Sequence, residues 1–274
     1  GYFELLESWV DECLINYWEF SNSKDLPNVA IVDWEGVSTI REFEAFKRVF
    51  QAKGCQTIIT DPRNLEYKCG KLYKGDFPID LVYRRLVNHE VVQGRAEITD
   101  FIKAYTEQAV CVVGPLRSQI IHNKVIFKIL HDEEVQCLFK PAEVAFIKSH
   151  IPYTAVFKED KTLLELAKTK KDHFILKPSD LYGSQGVFVG KDLPYHQWKG
   201  VLQECWDKDF LLQEFVEPPE SLMFNPDLQL ELMKQVLGVY LYNGKISGLY
   251  SRVDRNNVIS TSTRGFVVPN LSYE

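Results

Sequence analysis

The sequence predicts a mixed α+β protein with an α/β part near its start. Residues 28–34, 38–54 and 55–60 read as a strand, a helix and a strand with short connections, which is typical of a parallel βαβ unit. Further along the chain, helical patterns alternate with short apolar runs. Near the end, two β-rich runs flank Asn243 and Gly244, a dipeptide that favours a tight antiparallel hairpin.

In the first part of the chain the pattern predicts a helix from Phe3 to Trp18, strands at 28–34, 55–60, 79–83 and 110–113, helices at 38–54 and 96–108, and a small hairpin around Gly70. These elements predict a three-layer α/β domain over residues 1–115.

In the rest of the chain the pattern predicts helices at 118–130, 141–148, 162–170 and through 198–206, strands at 173–177, 187–189 and 210–216, and a hairpin at 237–253. We predict one subdomain over residues 116–227 and an antiparallel part at 228–274 that completes a second subdomain.

Length and composition are those of a globular protein of about two domains, since 274 residues exceed one small core. The net charge is −6, and no Lys/Arg-rich run is longer than residues 168–171, so we expect no nucleic-acid partner. No apolar run approaches the ~18 residues of a membrane span, so we expect no membrane partner either.

Six scattered cysteines without a C-x-x-C pair predict reduced thiols and a cytoplasmic protein. The chain opens at Gly1 on an amphipathic helix and lacks an initiator methionine. We therefore expect a piece of a longer protein. The apolar stripe of that helix would contact either a missing segment or a second subunit.

The segment that carries most chemistry begins at Lys177, at the end of a buried strand. A loop with Tyr182, Gly183, Ser184 and Gly186 follows within ten residues. An ammonium group and backbone N–H groups that glycines leave accessible suit a polyphosphate. An exposed β-hairpin without a ligand is the alternative interpretation of this segment alone.

The order of further residues along the chain favours the polyphosphate interpretation of this segment over the exposed β-hairpin. Lys124 precedes the loop, and Arg252 lies on the hairpin that follows it. Between them comes a strand end made of Gln213, Glu214, Phe215 and Val216. This succession resembles the ATP-grasp fold. The resemblance implies that Lys124, Lys177 and the glycine loop hold the phosphates of ATP, that the strand end contacts adenine, and that Arg252 acts with Lys177 on the γ-phosphate.

The order also resembles the circularly permuted ATP-grasp branch that includes glutathionylspermidine synthase. In that branch a βαβ domain with paired arginines precedes the lysines, and the chain closes on a strand similar to Thr263–Pro269. The resemblance implies that Arg84 and Arg85 bind a substrate. Pairing of these arginines with Asp80 or Glu90 at a strand end is the alternative.

The resemblance also implies Mg²⁺, held by an Asp and a Glu-x-Asn that precede the βαβ domain. Nothing from Gly1 to Trp18 matches that pattern. We expect either that the metal ligands lie upstream of Gly1 or that the site is lost. The sequence assigns no metal ligand.

The function implied by the resemblance is that of an ATP-dependent carboxylate–amine or carboxylate–thiol ligase acting through an acyl-phosphate on small molecules. The alternative is a non-catalytic module of the same fold that binds a nucleotide or a partner. A third hypothesis is a nucleotide-sugar transferase or another α/β transferase, which would need an acidic metal motif after a strand. Asp33, in Val32-Asp33-Trp34, is a candidate for it on slight grounds.

Overall fold

The computed structural model describes residues 5–158, 160–225, 227–261 and 264–270. Phe3 and Thr263, which the sequence places in the first helix and the last strand, lie outside the described residues. The described part is α+β with one parallel sheet and three antiparallel sheets, so the predicted fold class is confirmed.

The chain divides into two compact units. The first unit is made of Gly1–Gln119 and Val239–Gly248, and the second unit of Ile120–Gly238 and Leu249–Glu274. The three-part division predicted from the sequence stays a prediction.

The elements up to residue 113 are α1 Leu5–Ser21, β1 Val29–Val32, α2 Ile40–Ala52, β2 Thr57–Thr60, β3 Glu66–Lys68, β4 Lys71–Lys74, β5 Phe77–Ile79, β6 Leu81–Arg84, α3 Asn88–Gln93, α4 Thr99–Thr106 and β7 Cys111–Val113. The strands β2-β1-β6-β7 form a parallel sheet in that order, and β3-β4-β5 form a small antiparallel sheet. The predicted βαβ unit is therefore confirmed.

Strand β1 shows why the parallel sheet is buried on both faces. Its four residues are all buried. Val29 and Ile31 pack with side chains of α1 and α2, whereas Ala30 and Val32 pack with side chains of α3 and α4 on the opposite face. Alternation along the strand sends each pair to its own helical layer, which produces the three layers predicted from the sequence.

The single strand predicted at 79–83 is wrong in one detail, because it is divided between β5 and β6. Asp80 lies at the break. Its N–H donates to the carbonyl of Asn28 at 2.9 Å, and its carboxylate accepts from the N–H of Asn28 at 3.0 Å. This contact between distant residues ends one strand and begins the next.

The elements after β7 are α5 Gln119–His122, α6 Val125–Ile129, α7 Glu133–Gln136, α8 Pro141–His150, β8 Thr154–Val156, α9 Lys161–Thr169, β9 Phe174–Pro178, β10 Phe188–Val189, α10 Tyr195–Cys205, β11 Phe210–Glu214, β12 Glu220–Phe224, β13 Leu230–Tyr242, β14 Lys245–Asp254 and β15 Phe266–Val268. They form two sheets, ordered β10-β9-β11-β8 and β12-β13-β14-β15.

The core of the second unit lies between the sheet that contains β9 and the helices α9 and α10. Leu176 and Leu212 are fully buried on this sheet and pack with Trp198 of α10. The indole N–H of Trp198 donates to the carbonyl of Ala167 in α9 at 2.9 Å, so the one polar atom of this side chain is satisfied.

The predicted hairpin is confirmed, with longer strands than expected. Asn243 and Gly244 have φ values of 50° and 76°, as the tight turn between right-twisted strands requires. All six cysteines are free thiols, and four of them are buried. Within the ranges that the structure describes, no helix combines the length and apolar character that crossing a membrane requires.

Candidate functional site

A cavity of about 330 Å³ in the second unit gathers most of the residues implied for phosphate binding. Lys124, Lys177 and Arg252 line it. So do Tyr182, Gly183 and Ser184 of the glycine loop. The remaining lining residues are Ile175, Pro178, Leu181, Gln185, Val187, Val258 and Ser260. The volume is within the range of small-ligand sites in proteins.

Lys124 lies at an interruption of the helix predicted at 118–130. The side-chain oxygen of Asn123 accepts a hydrogen bond from the N–H of Val125 at 2.9 Å, and the N–H of Lys124 donates to the carbonyl of Ser179 at 2.9 Å. The prediction of one continuous helix is wrong here, because these bonds replace helical ones.

The ammonium group of Lys124 donates to the carbonyl of Leu181 at 2.6 Å. Together with the backbone bond to Ser179, this contact ties Lys124 to the glycine loop at two points. The lysine and the loop are therefore held together without any ligand.

Lys177 enters the cavity from β9. Its Nζ atom donates to Oε1 of Gln213 on the neighbouring strand β11 at 2.7 Å. The Nε2 atom of Gln213 donates to the hydroxyl of Thr154 at 2.8 Å, and only 7% of Gln213 is exposed. Gln213 thus contributes a side chain that positions the lysine, and its implied contact with adenine stays a prediction.

Both lysines are held under conditions that disfavour their charge. Burial lowers the pKa of Lys177, and the charge of Lys124 lowers it further. Burial also lowers the pKa of Lys124, with Asp180 opposing the shift. Asp180 lies 3.4 Å from a ring nitrogen of His122. Two cations that repel each other in a partly buried cavity favour an anionic ligand.

Arg252 adds a third cation. Its guanidinium lies 5.5 Å from the ring centroid of Tyr250, and its buried Nε atom has no hydrogen-bond partner. In the part of the chain that the structure describes, Arg252, Lys177 and Lys124 form no ion pair within 4.0 Å. No carboxylate of the described residues therefore contacts these three charges directly, and Asp180 acts on Lys124 from beyond ion-pair distance.

The glycine loop is a tight turn. Gly183 and Ser184 have φ values of 62° and 60°, and the N–H of Gln185 bonds to the carbonyl of Tyr182 at 3.3 Å. Two central residues at positive φ make a type I′ turn, in which Ser184 is strained by roughly 1–2 kcal/mol. Gly186 also has a positive φ of 66°.

The residues implied for adenine lie outside the cavity lining among the described residues. The N–H groups of Glu214 and Phe215 each donate at 2.8 Å, to the carbonyls of Tyr153 and His173. Val216 is exposed. Two backbone donors of this segment are therefore engaged within the protein, and its contact with adenine stays a prediction.

Arg84 belongs to the first unit, where main-chain groups surround its guanidinium. It donates to the carbonyls of Leu86, Gly114 and Pro115, to Oδ1 of Asn88 at 2.7 Å, and to the hydroxyl of Ser118 at 3.3 Å. Burial lowers the pKa of Arg84. This environment favours a structural role, and substrate binding by Arg84 stays a prediction.

Arg85 has a more open environment in the same unit. It lies 3.0 Å from the carboxylate of Glu42 and donates to the hydroxyl of Tyr83 at 3.2 Å, but its Nε atom has no partner. Arg85 lines a cavity of about 560 Å³ whose walls include Trp9 and Tyr242, with ring centroids 4.8 Å apart. A partly accessible guanidinium among aromatic rings could bind a carboxylate.

The Mg²⁺ that the resemblance implies would need ligands from this chain. Across the described ranges, no three His, Cys, Asp or Glu side chains are grouped to hold a metal ion. Mg²⁺ often takes one or two carboxylates and completes its shell with phosphate oxygens and water. Asp180 is the carboxylate that acts on Lys124, and His122 is its neighbour. The described residues therefore offer no preassembled group of three ligands, and Mg²⁺ would take most of its ligands from phosphate oxygens and water.

No protein-family model matches the sequence, and no curated protein matches it. Solved structures match its fold. A glutathione synthetase-like effector (GSS30) from Globodera pallida aligns with a TM-score of 0.58 and 11% identity, over 93% of this chain and 60% of its own. The chain has an ATP-grasp fold.

Two further solved structures align less well. D-cycloserine synthetase DcsG aligns at a TM-score of 0.49 and 12% identity, over 88% of this chain and 75% of its own. D-alanyl-alanine synthetase A from Vibrio cholerae aligns at 0.46 and 12%, over 82% and 67%. The chain spans about 60% of the length of the Globodera pallida protein. Circular permutation stays a prediction.

Sequence reasoning missed several residues of the cavity. Ile175 carried a usable signal, because it precedes Lys177 by two residues on β9 and side chains two apart share a face of a strand. Val258 and Ser260 follow β14 in an irregular segment, where no periodic pattern reports which way a side chain points.

Proposed function

We propose that the cavity lined by Lys124, Lys177 and Arg252 binds the phosphates of ATP. The observation that carries this proposal is the convergence of three unpaired cations and a tight glycine turn on one cavity. Phosphate oxygens would favour the charged forms of the two lysines, whose pKa values burial lowers, and would offset the repulsion by Lys124 that lowers the pKa of Lys177 further. The turn allows backbone N–H groups to come close to phosphate oxygens.

The proposed activity is ligation of a small-molecule carboxylate to an amine or a thiol. In the first step, a carboxylate oxygen attacks the γ-phosphorus of ATP, the bond to the β-γ bridging oxygen breaks, and ADP leaves. In the second step, the amine nitrogen attacks the acyl carbon, the carbon–oxygen bond breaks, and inorganic phosphate leaves. The amine gives up a proton, and for a thiol the sulfur takes the place of nitrogen.

This chain's contribution to the first step would be electrostatic. Negative charge spreads over the transferred phosphoryl oxygens, and positioned cations stabilise it because they need no reorientation. Lys177 is held by Gln213 and Lys124 by the carbonyl of Leu181, so both ammonium groups are oriented in advance. Arg252 supplies the third charge from β14.

The carboxylate substrate is assigned to Arg85. The partly exposed guanidinium and its place in the aromatic cavity support this role, whereas the guanidinium of Arg84 is already surrounded by acceptors. A carboxylate would add a second acceptor to Arg85 beside Glu42.

Calorimetric titration with ATP and ADP tests the nucleotide site. Lys177→Ala should weaken binding about 30-fold to 1,000-fold, because truncating one partner of a charged contact costs about 2–4 kcal/mol. Lys199→Ala, an exposed lysine on α10, is the matched control and should leave affinity unchanged. Equal affinities for wild type and Lys177→Ala would remove Lys177 from the site.

The second candidate function is nucleotide binding without turnover. The lack of a grouped metal-ligand set among the described residues favours it. Release of ADP, measured with Mg²⁺ and a panel of carboxylates paired with amines and thiols, separates the two functions. Release that needs both substrates supports the ligase, and tight ATP binding without any release supports the module.

A further inference from the structure

Strand β14 ends in a carboxylate with an unsatisfied oxygen. Asp254 is 2% exposed. Its Oδ1 atom accepts from the backbone and side-chain N–H groups of Asn256 at 2.9 and 3.0 Å, while the buried Oδ2 atom has no hydrogen-bond partner in the described part of the chain. Burial of a polar oxygen without a donor is costly, so such an atom is expected to have a partner that the protein itself does not supply.

A cavity of about 220 Å³ lies at this carboxylate. Its lining residues are Asn225, Asp227, Met233, Asp254, Arg255, Asn256, Arg264 and Phe266. All of them belong to the second unit. Its volume is below the range of about 300–1,000 Å³ of typical ligand pockets, so it suits a compact ligand.

The charges around this cavity leave an excess of carboxylate. Arg255 donates to both oxygens of Glu231, at 2.5 and 2.6 Å, so these two charges offset each other. Asp227 and Asp254 then face one further cation, the exposed Arg264. The balance favours a ligand that brings a positive charge.

We propose that this cavity binds the ammonium group of a small primary amine, with Oδ2 of Asp254 as its acceptor. An ammonium group fits better than a metal ion, since a single unsatisfied carboxylate oxygen suits an N–H donor and the described residues show no grouped metal ligands. Arg264 is placed to bind the carboxylate when the amine is an amino acid.

The position of Asp254 connects this cavity to the proposed function, on which the inference rests. Arg252 and Asp254 lie two residues apart on β14, so their side chains leave the same face of the strand about 7 Å apart. Arg252 lines the cavity proposed for ATP phosphates, and Asp254 lines the second cavity. An amine held at Asp254 would therefore lie beside the phosphates, as the second substrate of a ligase must.

The test uses three probes that differ by one group each: L-alanine, its methyl ester, and N-acetyl-L-alanine. Calorimetry and thermal unfolding with the full chain should show binding of L-alanine and its ester and none of the acetylated compound, which lacks the ammonium group. Asp254→Asn should weaken binding of both amines at least tenfold, whereas Asp209→Asn, an exposed control in the same unit, should not. Arg264→Gln should weaken binding of L-alanine but not binding of its methyl ester.

Other results would overturn the inference. They are equal binding of the acetylated probe, no amine binding by the wild type, or stabilisation of the wild type by Mg²⁺ alone that Asp254→Asn abolishes. If Asp254→Asn fails to fold, the proposal is still tested by the selectivity of the wild type among the three probes and by the effect of Arg264→Gln on binding. ATP titration reports separately on the proposed function: amine failure with intact ATP binding rejects only the amine site, and loss of both rejects the ligase.

Discussion

The Nζ atom of Lys177 donates a hydrogen bond to the amide oxygen of Gln213 at 2.7 Å, in a position where a carboxylate would have formed an ion pair. Gln213 is itself fixed through its bond to Thr154. A neutral acceptor orients the ammonium group without neutralising it. No carboxylate partner from the described residues therefore offsets the positive charge of Lys177, and its attraction for an anionic ligand is not reduced by an ion pair.

Gln213→Leu should therefore separate positioning from charge. Affinity for ATP should fall about 3-fold to 30-fold, less than in Lys177→Ala, because the charge remains while its orientation is lost. The free energy of unfolding should fall by about 1–3 kcal/mol, because Lys177 and Thr154 each lose a partner. Calorimetry and urea unfolding measure the two effects, and Gln203→Leu on the exposed face of α10 is the control. Unchanged ATP affinity would show that Gln213 does not position Lys177.

The lowered pKa values of Lys124 and Lys177 predict an unusual pH dependence of stability. In the unfolded chain both groups titrate at the ordinary value of 10.5, and in the folded protein they titrate lower. Between the folded and unfolded pKa values the unfolded chain binds more protons, so the free energy of unfolding should rise with pH in that window. Below the window the cost of the two charges is fully present.

Urea unfolding of the nucleotide-free protein from about pH 7 to about pH 9 would measure this rise, with the upper limit set below the range where tyrosines titrate. Burial raises the pKa of Tyr83 from 10.0 to about 12 and raises the pKa of the four buried cysteines from 9.0, so these groups lower stability as the pH rises above their unfolded values. The double variant Lys124→Gln, Lys177→Gln keeps these groups, so the rise due to the two lysines is the difference in pH dependence between the wild type and the double variant. A variant with the same pH dependence as the wild type would show that the two lysines are not its source.

Binding of ATP should show the opposite pH dependence. Phosphates bind the protonated lysines, so affinity should fall as the pH rises through their lowered pKa values, before it reaches 10.5. Proton uptake on binding, measured by calorimetry in buffers of different ionisation enthalpy, checks this directly. Lys199→Ala should behave as the wild type, and an affinity that is constant over this range would contradict the prediction.

Much of the fold could be predicted because its signals are local. The βαβ unit follows from periodicity and short connections, and the last hairpin follows from Asn243-Gly244. Prediction from the sequence failed where hydrogen bonds between distant residues determine where a strand or a helix ends. Asp80 divides a strand through bonds to Asn28, 52 residues away. Lys124 interrupts a helix through the carbonyl of Ser179, 55 residues later in the chain.

The candidate site also has features that local patterns predict and features that depend on contacts between distant residues. The cations and the glycine turn could be found from their order along the chain, and the structure brings them to one cavity. The side-chain role of Gln213 depends on pairing between β9 and β11, which local patterns do not report. The unsatisfied oxygen of Asp254 could not be predicted, since only atomic contacts reveal that a donor is lacking.

The glycine loop predicts a contrast between two neighbouring substitutions. Gly186→Ala should lower the free energy of unfolding by about 1–3 kcal/mol, because a positive φ strains alanine. A Cβ atom there would also lie 2.9 Å from Cγ of Pro178. Ser184→Gly should change stability by less than about 1 kcal/mol, since relief of strain at φ 60° offsets the greater freedom of the unfolded glycine.

Urea unfolding compares the two variants, and ATP titration shows whether the displaced loop weakens binding. We expect weaker binding in Gly186→Ala and little change in Ser184→Gly. Equal stability of both variants would mean that the backbone of the loop relaxes freely, and the tight turn would then not be a determinant of the site.

Alanine substitutions of the adjacent Arg84 and Arg85 should have different effects, one on stability and the other on activity. Arg84→Ala leaves several carbonyl groups and Oδ1 of Asn88 without a donor, so the free energy of unfolding should fall by about 2–4 kcal/mol. Arg85→Ala removes an ion pair with the half-exposed Glu42 and should cost only about 1 kcal/mol. Arg85→Ala should nevertheless abolish ADP release that depends on the carboxylate substrate, while ATP affinity stays unchanged. Arg41→Ala, exposed on α2, is the control for both measurements. A stable Arg84→Ala that loses carboxylate-dependent release, beside an active Arg85→Ala, would exchange the two assignments.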